Sequence, residues 1–348
     1  KPAWSVRAVP VDYMVPGYAS GRVNTLRLWS AKSYDEFDLL TVQQVRIPRR
    51  RQAARSKAEN ISKILYPEDS TPQGKADCVY EQQYFFVAAS LHDAIRVFYP
   101  GQSKPDLTTF PSKITFQLND THPVIGIPEL MRILIDEYGY DWDTAWSITT
   151  KTFNYTCHTL LPEALEVWPA KLISELLPRH MEIINEINEH FLAELKTKTR
   201  DKAKIERMRI VTDEENPKVR MAYLATAGGS HVNGVAELHS ELLKDVTLRD
   251  FSDLYGDKFT NVTNGVHPPS LHPPRQPAPV RPHHRRPRHR QVAERPRTAQ
   301  GPRTPRQGRR IRQEVRRRQA GQQGGLHRLR QARIRLRPRP QHHVQHHG

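Results

Sequence analysis

Cysteine is nearly absent: Cys78 and Cys157 are the only two in 348 residues. They stand 79 positions apart with no CxxC pattern. That spacing gives neither a disulfide framework nor a thiolate metal site, and it points to reduced thiols in a cytoplasmic setting. Around Asp120, His122 and His158 no His-x-x-x-His or matching carboxylate spacing supports a metal site, so no metal is expected. Apolar runs all fall short of the roughly 20 residues that a membrane helix needs, and the amino end has no basic-then-apolar leader. Neither Gly-x-Gly-x-x-Gly nor a Walker pattern is present. An initiator methionine is missing too, so the chain is expected to begin inside a longer protein.

Lysine and aromatic residues disappear altogether after residue 266. That stretch has 22 Arg and two Glu, a net of +20 against +17 for the whole chain, which leaves residues 1 to 266 at −3. The basic pI of about 10.0 therefore belongs to residues 267–348, an Arg/Pro/His/Gln-rich arm expected to be disordered. The body is mildly acidic, as in a soluble enzyme, and is not a nucleic-acid platform. Residues 1–266 are expected to form the folded domain.

Within that domain the chemistry gathers between Ile114 and Trp168. Ile114, Phe116 and Leu118 alternate with Thr115 and Gln117 as in a strand, and Asn119-Asp120-Thr121-His122-Pro123 ends it. Pro128 suits a first helical turn, Leu130, Ile133 and Leu134 make an apolar stripe, and Gly139 is placed to stop the helix. A strand, loop and helix in this order belong to an α/β fold, where ligands gather at the carboxyl ends of strands. Asp120, His122 and His158 are therefore candidates, though turn and capping chemistry explains the same residues as well.

Elsewhere the pattern is plainer. Residues 1 to 20 read as loop, and Val23 to Trp29 alternate as a strand. Tyr84, Val87, Leu91, Ile95 and Phe98 form a core-facing helical stripe, as do Ile184, Ile187, Phe191 and Leu195. Val219 to Thr226 read as an apolar strand, leading through Gly228-Gly229 to a helix carrying Val235, Leu238 and Leu242. That glycine turn could present N–H groups to an anion, or could simply allow close packing.

Several of these segments are specific together. NDTHPVIGIPELMRILIDE, KTFNYTCHTLLPEALEVWP and LLPRHMEIINEIN resemble the α-glucan (glycogen) phosphorylase family. VPGY and VNTLRLWSAK precede them, and MAYLA, VNGVAELHS and KFTNVTNGV follow in the expected order, so the resemblance covers roughly residues 13 to 266. It departs between Leu39 and Ala54, at Gly229-Ser230, which sit one place off the usual pair, and at Cys157, where the family has Asn.

The resemblance implies a partial glycosyltransferase B-type, Rossmann-like fold and the phosphorolysis of terminal α-1,4-linked glucose from glucan by orthophosphate. It implies pyridoxal phosphate as cofactor, a homodimer, His158 and Asn264 on sugar hydroxyls, Asp69 in a mobile gate loop, and Asp120 and His122 as a polar floor beside it. The family's Schiff-base lysine and phosphate-clamping residues lie beyond this chain, so the chain alone is expected to be inactive. The alternatives are a glucan-binding fragment without catalysis, or nucleic-acid binding through the Arg-rich arm.

The resemblance stops inside a motif that the family continues as Thr-Pro-Arg-Arg-Trp. His267-Pro-Pro-Ser can be encoded CAC CCC CCG TCG, which reads Thr-Pro-Arg-Arg one nucleotide on. A frame shift near Val266 is expected. Sequencing the transcript across codons 260 to 280 should find one nucleotide fewer than the written frame requires. An unchanged frame would make the Arg-rich arm genuine.

Overall fold

The computed structural model describes residues 4–17, 20–33, 49–64, 72–161, 165–265 and 333–336. The chain divides into one unit of Lys1–Asn264 with Gln331–Gly348 and a second of Gly265–Arg330. The expected gate residue Asp69 and nearly all of the Arg-rich arm lie outside the described residues.

Two strands open the chain, β1 (Trp4–Pro16) and β2 (Val23–Ser33), paired antiparallel from Val6↔Ser33 to Pro16↔Val23. The reading of residues 1 to 20 as loop is thereby corrected. Proline and glycine content marked a loop, but long-range pairing overrides local propensity. Val6 and Ala8 are buried on the face opposite Arg7. Among the described residues Pro10 falls beyond the segment paired on the other side of β1, at Trp4–Arg7, so its missing N–H disrupts no second ladder there.

Helices α1 (Arg49–Lys63) and α2 (Pro72–Phe98) follow. Tyr84, Val87, Leu91 and Ile95 of α2 are buried as the spacing predicts, whereas Phe98 in its last turn is exposed. A short α3 (Phe110–Lys113) leads to β3 (Phe116–Asn119). Then come α4 (Gly126–Arg132), which runs on as a wider turn to Glu137, α5 (Trp142–Thr152) and β4 (Phe153–Thr156). Gly139 ends that first helix with φ +78°, a conformation that suits glycine.

A longer excursion comprises β5 (Val167–Pro169), α6 (Ala170–Leu176), α7 (Pro178–Lys198), α8 (Lys202–Arg207), β6 (Lys218–Arg220) and α9 (Met221–Gly228). Most of the expected strand at Val219 to Thr226 is therefore helix. A short, fully apolar run has no period to separate a buried strand from a buried helix, and Met221, Ala222, Leu224 and Ala225 are good helix formers with no exposed face. The glycines after it join a helix to strand β7 (Val232–Gly234), the reverse of the expected order. Next come α10 (Glu237–Leu242), α11 (Arg249–Tyr255) and β8 (Phe259–Asn261). Leu238 and Leu242 lie on α10 as expected and are exposed, whereas Val235, expected on the same helix, precedes it.

Strands β3, β4, β7 and β8 form one four-stranded, all-parallel sheet whose spatial order is the chain order. Helices make every crossover, which is the Rossmann-like half of a partial glycosyltransferase B-type domain. Within the arm expected to lack structure, β9 (Arg333–Leu336) pairs with β1 at Trp4–Arg7.

One buried charge cluster fixes the helix that follows β3. Glu129 on α4 has no solvent exposure. It takes both Nε and an NH2 nitrogen of Arg132, at 2.8 and 2.9 Å, and stands 2.6 Å from His180 Nε2 on α7. Burial alone would push this carboxyl up, but the hydrogen bonds and charges of Arg132 and His180 overcome it and hold the pKa at about 2. A depressed carboxylate stabilises the fold above its unfolded value of 4.5, and that contribution fades as pH falls from 4.5 toward 2. Glu129→Ala would leave the buried His180 without its carboxylate and Arg132 with Glu137 alone, and is expected to cost about 3 kcal/mol, read as a lower urea midpoint at neutral pH.

Candidate functional site at the carboxyl edge of the sheet

Each parallel strand ends in short polar residues: Asn119 on β3, Thr156 on β4, Asn233-Gly234 on β7 and Asn261 on β8. Strand-end side chains bond across the sheet. Gln117 Nε2 donates to Thr156 Oγ1 at 2.8 Å, and Thr156 Oγ1 donates to Asn233 Oδ1 at 2.9 Å. Beyond the strands, the backbone continues the same ties. Asp120 N donates to Thr156 O (2.9 Å), Cys157 N to Asn233 O (3.0 Å), Val262 N to Gly234 O (3.1 Å) and Asn264 N to Val235 O (2.9 Å). Four loops thus form one continuous rim, and Asp120, His158 and Asn264 stand on it.

Their surroundings differ. Asp120 is buried with φ +61°, and its Oδ1 accepts from Thr121 N at 2.7 Å. His158 and Asn264 are exposed on the rim. Among the described residues no side-chain hydrogen bond or ion pair joins those two to each other or to Asp120. Cys157, beside His158, is sealed: its Sγ donates to Thr159 O at 3.1 Å, and burial pushes its thiol up, with Asp120's charge adding to the effect. It is therefore no nucleophile.

His122 is brought to a partner that the sequence reading did not single out. Its Nδ1 lies 3.1 Å from Glu166 Oε1, on the segment entering β5. Glu166 Oε1 also accepts from Gln83 Nε2, and Oε2 from Thr121 Oγ1, both at 2.8 Å. The hydrogen bond to Glu166 raises the His122 pKa above 6.5 against partial burial, and the charges of Glu166 and Asp120 act the same way. No local pattern marks this link, because residues 83, 122 and 166 meet only through the tertiary fold.

A separate cavity of about 550 Å³ lies at the opposite end of the strands, between α5, α7 and α11. Its Lys258 is lowered to about 8 by burial. Lys258 Nζ donates to the carbonyls of Thr226, Ala227 and Gly229, so it caps α9 and has no N–H left for a ligand. The chemistry-bearing residues are at the other edge. Among the described residues no His, Cys, Asp and Glu group could hold a metal, and no helix is long and apolar enough to cross a membrane.

Gly234 is the tight point of the rim. A Cβ there would lie 2.8 Å from Ser240 Cα and 2.6 Å from His239 Nδ1, so α10 would have to move. Gly234→Ala is expected to cost about 1 to 3 kcal/mol, seen as a lower thermal midpoint, with broadened Val262 and Asn264 amide resonances in NMR spectra.

The family model of carbohydrate phosphorylase matches residues 1–270. The chain is 45% identical over 264 residues to a glycogen phosphorylase of Pasteurella multocida, covering 76% of this chain and 32% of that protein. It is 47% identical over 267 residues to the glycogen phosphorylase of Saccharomyces cerevisiae, covering 76% of this chain and 29% of that one. Against the muscle form of glycogen phosphorylase from Oryctolagus cuniculus the identity is 46% over 272 residues, covering 76% and 32%. The chain thus spans about a third of the length of the curated relatives it matches.

Proposed function

Because the chain belongs to the carbohydrate phosphorylase family, we propose that it carries the sugar-gripping side of an α-1,4-glucan phosphorylase. The observation that carries this reading is the hydrogen-bonded rim that gathers Asp120, His158 and Asn264 at the carboxyl edge of one parallel sheet. In phosphorolysis an orthophosphate oxygen bonds to the sugar's C1 while the bond from C1 to the glycosidic oxygen breaks and that oxygen takes a proton. The products are glucose 1-phosphate and a glucan one unit shorter.

The protein must hold the sugar still while positive charge develops on its ring. His158 and Asn264, exposed on the rim, supply hydrogen bonds to sugar hydroxyls. Asp120 and His122 form the polar floor, with Asp120's carboxylate near enough to bear on the electrostatics of its neighbours. Asp69, on the proposed gate, lies outside the described residues.

Pyridoxal phosphate is the cofactor that the resemblance implies, and the residues present do not fit it. Its aldehyde needs a lysine, and its phosphate and the substrate phosphate need cationic side chains. The rim loops 119–125, 157–161, 235–236 and 262–265 hold neither lysine nor arginine. The chain by itself binds glucan on this reading and does not turn it over.

Titration calorimetry with maltoheptaose tests the proposal. Binding is expected, and His158→Ala should weaken it about tenfold, the worth of one well-made hydrogen bond at about 1.4 kcal/mol. Absence of binding by the folded chain would refute the sugar-gripping role. Phosphate-dependent release of glucose 1-phosphate by the purified chain would refute the absence of turnover.

A further inference from the structure

Two residues other than glycine adopt positive φ among the described residues, Asp120 at +61° and Glu166 at +46°. They stand 46 positions apart in sequence and meet in one cluster around His122. A left-handed backbone is costly for a residue with a Cβ, and least costly for Asn and Asp. Glutamate has no such dispensation, so its presence at 166 needs a compensating hold.

That hold is visible. The Glu166 carbonyl accepts from Met221 N at 3.1 Å, and the next residue, Val167, pairs with Arg220. The backbone is thus pinned to the start of α9 while the side chain turns the other way. Its carboxylate is mostly buried, at 11% exposure, and takes Gln83 from α2, Thr121 from the loop after β3, and His122. An uncompensated carboxylate would not be kept in such a place, and three polar partners converging on one side chain satisfy it. The bend at 166 is what aims the carboxylate at residues 121 and 122.

We propose that Glu166 is the positioning residue of the sugar site, holding the His122 ring by Nδ1 and thereby fixing which ring nitrogen, in which protonation state, is turned to the carboxyl edge. This deepens the sugar-gripping role and rests on it. With Nδ1–H donated to Glu166, Nε2 is an acceptor in the neutral ring and a donor in the imidazolium. A carboxylate behind an imidazole is the arrangement that sets its tautomer in many sites.

Among the described residues, two carboxylates act on the charge of this ring. Glu166 contributes from the approach to β5 and Asp120 from the end of β3, and both favour the imidazolium. Tyr80 of α2 and Tyr155 of β4 feel the charge of Glu166, but burial raises both hydroxyls further, so they stay neutral. Partial burial of the ring opposes the imidazolium and is outweighed by the Glu166 hydrogen bond. A raised histidine is charged below its folded pKa and loses that charge as pH climbs through it. Sugar contacts that use Nε2–H are therefore strongest on the acid side and fade as pH rises from 6.5 upward.

The experiment follows the His122 ring by nitrogen-15 and proton NMR in the full chain across about pH 5 to 8. His122→Ala assigns the resonance, and maltoheptaose affinity is measured at the same pH values. In wild type the neutral ring is expected as the Nδ1–H tautomer, with a midpoint above 6.5. Glu166→Gln keeps the shape and removes the charge. Its His122 midpoint should fall toward 6.5, the tautomer should become mixed, and maltoheptaose binding should weaken about tenfold on the acid side and lose its pH dependence.

Glu166→Asp, too short to reach all three partners, should behave like Glu166→Gln in the titration. An unchanged midpoint and tautomer in Glu166→Gln would overturn the proposal. So would a shifted midpoint with unchanged affinity at every pH, which would leave Glu166 a structural residue. If wild type binds no maltoheptaose, the sugar-gripping role itself fails, while the titration still decides whether Glu166 sets the state of His122.

Discussion

A carboxylate with no exposure sits where three helices meet, and the placement of the rim follows from it. Glu129 of α4 is satisfied by Arg132 one turn on and by His180 from α7. Tyr84 of α2 presses edge-on against the His180 ring with centroids 5.0 Å apart. The desolvated charge tolerates little displacement, because a slip that broke one hydrogen bond would leave ions in a low dielectric. Apolar contacts such as Ile127 and Leu130 against their neighbours could slide at small cost, but this cluster cannot. The start of α4 is thereby fixed, and with it the loop that carries Asp120, Thr121 and His122.

The parallel sheet converts that anchor into a site. Its strands are only three or four residues long, so they have little ladder to hold them in register. The Gln117, Thr156 and Asn233 side chains supply part of what the backbone lacks, bonding across three strands. Backbone bonds beyond the strand ends carry the order outward, so residues far apart in sequence share one edge. Substrate chemistry that needs several hydroxyls held at once suits such an edge.

Much of this was legible in the sequence, and the failures have physical causes. The strand, loop and helix around Asp120 could be read because period two gives way to period three and a half between Leu118 and Leu134. Gly139 announced its stop, and the stripes on α2 and α7 announced their cores. The first strand was misread because Pro10 and Pro16 speak for local propensity while the pairing that makes it a strand is with residues 23–33. The segment after Val219 was misread because burial on every side erases the period. Of the site, Asp120, His122 and His158 came from the strand ends, and Asn264 from family resemblance alone. Glu166 was invisible because its three partners lie on two other elements, α2 and the loop after β3, far from it in sequence.

The two left-handed residues narrow what sequences this site can accept. At position 120 the backbone favours Gly, Asn or Asp, and a short carboxylate meets both the conformation and the hydrogen bond to Thr121. At position 166 the demands conflict. The backbone again favours Gly, Asn or Asp, whereas the distance to Gln83, Thr121 and His122 requires the reach of a longer acid. A drift toward local stability at 166 would shorten the side chain and let go of the ring, and a drift toward longer, β-branched or apolar residues would meet the strained backbone with no carboxylate to hold it. The position has one comfortable occupant for the fold and a different one for the chemistry, so neutral exploration there is closed in both directions.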